Sequence, residues 1–306
     1  MISIGILLAL GSAFFESTLD VFRKKTAMAF DALTSAFVLH ALTFVIALPF
    51  TLAVSFRWVR LPDAMNVFVH QMPTSPEFWW PLAASTALNS IAVYLVMDAL
   101  ATADLGMVLP LTTLSPIFLL LTAPLIVGEF PSSIGLIGIL VTTLGTWGLA
   151  RKPGQEGVLK PFQLLWSHSS NRKMILVAVL YGFCAPFDAR AIHSGGPLWY
   201  LTFIDLGLAL TYVPFMFRKA RWSGLFSQAS IKLIPLGVSN MLRAWCQFTA
   251  LCFLIVPYAI GLKRLSIIFG ILWGRYLFKE GNTAQRLGAA TVMIAGSILI
   301  LFAAVR

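Results

Sequence analysis

Charged side chains are scarce in this sequence. They make up 11% of its 306 residues, whereas a soluble domain carries roughly 25%, and hydrophobic residues make up 58%. A soluble globular protein is therefore excluded as a class. The apolar residues form continuous runs instead of alternating with polar ones, which argues against a barrel of membrane strands and predicts membrane-spanning helices.

Residues that carry covalent or metal chemistry are also few and scattered. The three cysteines lie inside apolar runs without Cys-x-x-Cys spacing, so we interpret them as packing residues. The four histidines form no His-Glu-x-x-His motif, and no ATP-binding loop of the Gly-x-x-x-x-Gly-Lys-Ser/Thr type occurs. The sequence therefore disfavours an intramembrane enzyme and predicts no metal or cofactor. Any driving force for transport is expected from an ion gradient, from exchange or from the substrate's own gradient.

The apolar runs are long enough to cross a bilayer, for which a helix needs about 20 residues. Ten such runs predict an all-α membrane protein embedded in lipid. They cover residues 2–22, 32–55, 78–100, 105–127, 134–150, 174–192, 198–217, 231–253, 257–278 and 283–304.

The second part of the chain repeats the first. A shift of about 151 places aligns residues of both parts without a gap, which is typical of transporters built from duplicated membrane spans. Because five spans are an odd number, the second repeat enters the membrane from the opposite side, and the halves are predicted to be inverted around a central cavity. The aligned pairs include Asn89 with Asn240, Leu114-Ser115 with Leu265-Ser266, Glu129 with Glu280, and Gly145 with Gly296.

A charged segment rich in turn residues separates the two repeats. It predicts a first five-helix repeat at 1–150, a linker at 151–172 and a second five-helix repeat at 173–306. The net charge of +10 comes from short basic clusters between apolar runs, which indicates membrane topology and not a nucleic-acid partner. By the positive-inside rule, both termini are expected to face away from the cytoplasm.

The first span carries Glu16, Asp20 and Arg23 on one helical stripe. A charge inside a span costs several kcal/mol unless it has a partner or water, so each is a functional candidate. For Arg23, together with Lys24 and Lys25, a salt bridge at the helix end near the membrane interface is the favoured interpretation. Glu16 lies deeper and is harder to explain in that way.

In the eighth span, Asn240, Arg243 and Gln247 share one face, which indicates the wall of a wet cavity. Asn89 is the counterpart of Asn240 in the first repeat. The structural alternative is that Arg243 pairs with a buried carboxylate such as Asp205 or Asp188 and locks two helices together.

The ninth span carries two adjacent cations, Lys263 and Arg264, between helix-bending residues. Pro257 and Gly261 near this pair favour a broken helix near the membrane midplane. The aligned positions of the fourth span are Thr112 and Thr113, so the positive charge lies on one side of the predicted cavity.

Two further carboxylate pairs recur in both repeats. Asp20 and Asp188 occupy matching points of the first span in each half, where they could bind protons, gate the site, or only pair with Arg23 and Arg190. Glu129 and Glu280 precede the last span of each half and are interpreted as helix-terminal residues.

The chain resembles the EamA-like ten-helix transporters of the drug/metabolite transporter superfamily. The resemblance rests on the paired repeats, the Gly128-Glu129 and Lys279-Glu280 turns, and the run from Lys263 to Gly274. It implies two five-helix repeats and transport of a small molecule, since members carry amino acids, nucleotide sugars, sugar phosphates, cations or lipid-linked sugars. The Lys263-Arg264 pair is also similar to the phosphate-binding pair of triose-phosphate translocators.

Together these features predict a secondary transporter of a small anionic metabolite, working by alternating access in a bacterial inner (plasma) membrane. An alternative is efflux of amphipathic or cationic compounds through Glu16 and Asp20. Coupling to protons or to a counter-substrate is expected at Glu16, Asp20 and Asp188. The expected substrate-binding residues are Lys263, Arg264, Arg243, Asn240, Gln247, Asn89 and Tyr258.

Overall fold

The computed structural model describes most of the chain. Its described residues are 2–60, 71–102, 111–112, 114–149, 168–217, 233–270, 273 and 283–305. Most of the predicted linker lies outside them, as do Thr113, Lys279, Gly274 and Glu280.

The prediction of an all-helical chain is confirmed, with ten helices of eight or more residues among the described segments. Five of them, α1, α2, α3, α6 and α7, are long and apolar enough to cross a membrane. The helices are α1 Ile2–Ala29, α2 Ala32–Ser55, α3 Pro76–Thr102, α4 Ser115–Val127, α5 Ser133–Leu149, α6 Ser169–Gly195, α7 Pro197–Phe217, α8 Ile234–Ala250, α9 Val256–Lys263 and α10 Thr283–Val305.

Local signals explain where several helices begin and end. Asp31 caps α2 by accepting hydrogen bonds from the amides of Leu33 and Thr34. Gly128 ends α4 in the left-handed conformation, with φ of 72°, which glycine adopts at little steric cost.

The helices pack in four main pairs. These pairs are α5 with α10, α3 with α6, α1 with α8, and α2 with α7. All four pairs join the first half of the chain to the second. Polar side chains that are far apart in the sequence therefore meet at these interfaces.

Glycine permits a close approach between α5 and α10. A Cβ atom added at Gly296 would lie 2.7 Å from the carbonyl oxygen of Gly138 and closer still to Thr142. Small residues at such crossings allow the backbones of membrane helices to approach each other.

We expect Gly296→Ala to destabilise the protein, because backbone atoms of α5 would have to move. Overpacking of this kind typically costs about 1–3 kcal/mol. The measurement is the thermal unfolding midpoint of the purified protein in detergent. Gly288→Ala on the same helix is the matched control, since its Cβ would meet nothing within 4 Å. Equal midpoints for the two variants would contradict the close contact.

The ninth helix breaks where the sequence predicts a bend. It ends at Lys263, a turn follows at Arg264 and Leu265, and helical structure resumes over 266–270. Within the turn, Arg264 donates its amide to Gly261, and Ile267 donates to Arg264, each three residues back. Tight three-residue turns inside a helix often mark a functional hinge.

Candidate functional site

Glu16 of α1 lies at the centre of a cluster of charged side chains. Its carboxylate oxygens lie 2.8 Å from the Arg23 guanidinium, 2.8 Å from the Lys263 ammonium and 3.7 Å from the Arg243 guanidinium. These four side chains are between 10% and 16% exposed. The cluster joins α1 to α8 and α9, and therefore joins the first half of the chain to the second.

Arg23 also binds the second acidic residue of α1. Its guanidinium lies 3.0 Å from the Asp20 carboxylate, so the predicted stripe of charges is an ion-paired group. Both residues are buried, with 8% of each exposed. The predicted salt bridge thus exists, but it belongs to the interior cluster.

Arg264 differs from the other cations in its partners. Its guanidinium donates to the hydroxyls of Thr112, at 3.3 Å, and Ser115. Across the described part of the chain, it has no carboxylate partner, and its Nε atom is buried without a hydrogen bond. Among the described residues, the broken end of α9 thus presents a guanidinium that no carboxylate contacts directly.

The polar face of α8 contacts two other helices. The Asn240 amide donates to the Thr43 hydroxyl at 2.9 Å, and its oxygen accepts from Arg243 Nε at 3.1 Å. Gln247 accepts from the Ser12 hydroxyl at 3.1 Å, and its Nε2 atom is buried without a partner in the described part of the chain.

Arg243 does not pair directly with Asp205 or Asp188, the two acids that the sequence suggested for it. Its carboxylate partner is Glu16. It reaches Asp205 only through Asn240, whose amide also donates to that carboxylate at 3.4 Å. The predicted helix lock therefore exists with a different acid, Glu16 of α1.

The sequence interpretation missed the pairing of a buried imidazole with a buried carboxylate. His40 Nδ1 on α2 lies 2.6 Å from Asp205 Oδ1 on α7, and the two side chains are 6% and 3% exposed. The sequence feature that could have pointed to this pair is that each of two apolar spans contains an ionisable residue, which needs a partner in the membrane. Nothing in the spacing relates them, because they are 165 positions apart.

Asp188 belongs to a second polar network, between α3, α6 and α7. Ser85 and Tyr200 both donate hydrogen bonds to its carboxylate, and Asn89 donates to the Ser85 hydroxyl at 2.9 Å. The suggested pairing of Asp188 with Arg190 does not form. Arg190 instead donates to the Ile126 carbonyl and lies over the Trp80 ring.

Tyr258 and Glu129 connect α9 to the α4–α5 turn. The Tyr258 hydroxyl accepts from the Ser132 amide at 2.9 Å, so this predicted substrate contact is engaged at the start of α5. Glu129 accepts from the Val256 amide at 2.6 Å and thus caps α9. Burial raises the pKa of the Glu129 carboxyl. The sequence instead predicts that Glu129 acts at the N-terminus of the helix that follows it, α5.

The structure therefore brings part of the predicted site together. Arg243, Asn240 and Lys263 join Glu16 and Asp20 in one connected network, with Arg264 next to Lys263 in the chain. Gln247 contacts α1 separately, and Asn89, Asp188 and Tyr258 lie in other hydrogen-bond groups.

The cluster carries more positive than negative charge. Arg23, Arg243, Lys263 and Arg264 are cationic, against the carboxylates of Glu16 and Asp20. If Asp188 and Asp205 of the neighbouring networks are included, four carboxylates match the four cations, so the excess of positive charge is confined to the cluster itself. No group of three metal-binding side chains occurs in the segments that the structure describes.

Comparison with solved structures supports the helical fold. No curated protein matches this sequence. A solved structure, described only as the crystal structure of a protein, covers 98% of this chain and 98% of its own at 15% identity, with a TM-score of 0.68. At this identity the likeness concerns the fold alone.

The EamA-like transporter family matches residues 3–151, which include the first five helices and Glu16. The resemblance inferred from the sequence is thereby confirmed. The family consists of transporters and not, in general, of enzymes, and the apolar helices fit a multi-pass membrane protein. Residues 3–151 of this chain match the EamA-like transporter family, and this match implies membrane transport.

Proposed function

We propose that this protein is a secondary transporter of a small metabolite that bears a carboxylate or a phosphate. The anion binds at the broken end of α9, held by Arg264 and Lys263, and Arg243 lies across the cluster. Asn240 is joined to Arg243, and Gln247 and Asn89 are polar neighbours on α8 and α3. Alternating access moves the anion without covalent chemistry.

The observation that carries this proposal is that Arg264 contacts hydroxyls and no carboxylate among the described residues. A buried cation is costly unless a negative charge lies close to it. The described partners of Arg264 are hydroxyls, which offer oxygen atoms but no charge. A carboxylate or phosphate at this point would supply the missing charge and could accept two parallel hydrogen bonds from the guanidinium.

The distribution of charge disfavours a cationic substrate. The efflux alternative requires Glu16 and Asp20 to be available to a cation, but both carboxylates are already bound by basic side chains of the protein. A cationic substrate would have to displace Lys263 or Arg23 within a cluster that already has excess positive charge.

The arrangement of helices supports two inverted halves around a central cavity. If helices one to five correspond to helices six to ten, the pair α3–α6 becomes α8–α1, which is also a main packing pair. The same exchange turns the pair α2–α7 into itself, and likewise the pair α5–α10. This is the pattern that a twofold relation between 1–150 and 173–306 would produce, and the site residues of α1, α8 and α9 would then face the cavity.

The hinge in α9 offers a way to link binding to movement. Lys263 and Arg264 lie directly at the tight turn, so an anion that draws them together would change the angle between Val256–Lys263 and the segment 266–270. Lys263 would at the same time leave Glu16, and the α1–α9 contact would weaken.

A thermal-shift panel on the purified protein tests the proposal. A ligand that binds the native state raises its stability by mass action, by about 2.7 kcal/mol at a concentration one hundred times its Kd. We expect stabilisation by at least one member of a panel of inorganic phosphate, glycerol 3-phosphate, glutamate and succinate. Choline and tetraphenylphosphonium serve as cationic probes of similar size range.

The result that would overturn the proposal is stabilisation by the cations with none by the anions. A salt control at matched ionic strength is needed, because exposed charges respond to screening without specific binding. A shift that persists in the Arg264→Ala variant would also place the anion elsewhere.

A further inference from the structure

The His40–Asp205 pair joins the two halves of the chain at the α2–α7 interface. Only 5% of His40 and 2% of Asp205 is exposed, and 2.6 Å separates Nδ1 from Oδ1. Because an ionised carboxylate can only accept, Nδ1 is the donor of this hydrogen bond when Asp205 is ionised. The other ring nitrogen, Nε2, is buried and has no hydrogen-bond partner among the residues that the structure describes.

In this geometry, Nε2 can be either unprotonated or protonated. Histidine is the side chain whose charge changes between about pH 5 and 8. Without a proton on Nε2, the pair carries one negative charge in a buried setting. A proton taken from water by the Nε2 lone pair makes the imidazole cationic and the pair neutral overall. The carboxylate at Nδ1 would stabilise that cation.

Other charged groups near the pair are accounted for by their own partners. On α8, Asn240 bonds Asp205, and Arg243 lies behind Asn240. On α1, the acids are bound within the Glu16 cluster. Other titratable groups of α2, α3, α6 and α7 also have partners. They are Asp31 with Thr34, Asp98 with Lys173, Glu77 with Arg190, Asp188 with Tyr200, His193 with the Leu251 carbonyl, and Tyr212 with the Ser90 carbonyl.

A chain of contacts links the pair to the proposed substrate site. Asp205 accepts from the Asn240 amide at 3.4 Å, and Asn240 accepts from Arg243, which faces Glu16. When His40 is neutral, the negative charge of Asp205 attracts the Asn240 amide. When His40 is protonated, that charge is balanced, and the hold on Asn240 and Arg243 weakens.

We propose that the His40–Asp205 pair is the proton-binding site that couples transport to a proton gradient. The inference rests on the proposed function. One proton binds Nε2 from one aqueous side and is released to the other, in the same cycle that carries the anion. In the present conformation Nε2 is sealed from water, so proton exchange requires the α2–α7 interface to open. This assigns coupling to residues other than Glu16, Asp20 and Asp188.

The first experiment measures proton binding without a substrate. Infrared difference spectra of the purified protein are recorded between about pH 5 and 8, where histidine titrates. We expect His40→Gln to remove an imidazole band together with a perturbed carboxylate band, and Asp205→Asn to remove the carboxylate part. His193→Gln is the matched control, because His193 is exposed and contacts only the Leu251 carbonyl among its described hydrogen bonds. Spectra of His40→Gln identical to wild type would overturn the proposal.

The second experiment measures coupling in liposomes that contain a pH-sensitive dye. Each anion of the thermal-shift panel is added outside, and the internal pH is followed. We expect wild type and His193→Gln to move protons with the anion, and His40→Gln to lose this movement to the level of protein-free liposomes. His40→Gln should keep the anion-dependent thermal shift, because it removes no basic residue of the cluster.

The outcomes separate this inference from the proposed function. If no anion shifts or crosses the membrane, the proposed function fails, and the infrared experiment still decides whether the pair binds a proton. If anions bind and proton movement persists in His40→Gln, the pair is only a structural lock and the inference is wrong.

Discussion

Replacement of Arg264 by alanine should weaken anion binding by about tenfold or more, since a charge-assisted hydrogen bond contributes roughly 1.5–3 kcal/mol. The protein should remain folded, because the substitution removes a buried charge and not one partner of an ion pair. The measurement is the Kd of the most stabilising anion, determined by calorimetric titration of wild type and variant.

Two further variants sharpen this test. Arg264→Lys keeps the charge but not the planar fork, so its affinity should lie between those of wild type and Arg264→Ala. Lys25→Ala removes an exposed cation that lies 5.9 Å from the Phe22 ring centroid, and it should bind like wild type. If Arg264→Ala and Lys25→Ala bind the anion equally well, Arg264 is not a binding residue.

Glu16→Gln should have the largest effect on stability. It leaves Lys263, Arg23 and Arg243 facing an uncharged side chain in the interior. Removal of one partner from a buried pair typically costs about 3–5 kcal/mol. The free energy of unfolding, measured in detergent by chemical denaturation, should fall by this order.

A matched carboxylate serves as control for Glu16→Gln. Glu77 lies 3.7 Å from Arg190, and its side chain is 66% exposed. Because exposed pairs contribute only about 0–1 kcal/mol, Glu77→Gln should change little. The double variant Glu16→Gln with Lys263→Met should recover part of the loss, because one unpaired cation is removed. A Glu16→Gln protein as stable as Glu77→Gln would show that the cluster does not stabilise the fold.

The helices were predictable because the bilayer imposes a simple rule on sequence. The backbone must satisfy its own hydrogen bonds in lipid, so long apolar runs become helices. The run 32–55 coincides with α2, and 198–217 differs from α7 by one residue. The bend of α9 was also readable, since Pro257 and Gly261 act on their own helix.

The partners of the polar side chains were less predictable. Spacing placed Asn240, Arg243 and Gln247 on one face, but it could not say that Glu16 would meet Lys263 from 247 positions away. It assigned Tyr258 to the substrate, whereas its hydroxyl contacts Ser132. Helix periodicity fixes which residues share a face and says nothing of which helix that face meets.

The sequence by itself determined that this chain lies in a membrane, where most of its helices begin and end, and which residues carry charge into the interior. These properties depend on local composition and on helix geometry. The tertiary structure decided that Glu16 binds three cations, that Arg264 meets only hydroxyls within the described residues, and that His40 meets Asp205. Those contacts depend on how separate helices pack, and the free energy of each contact depends on both partners.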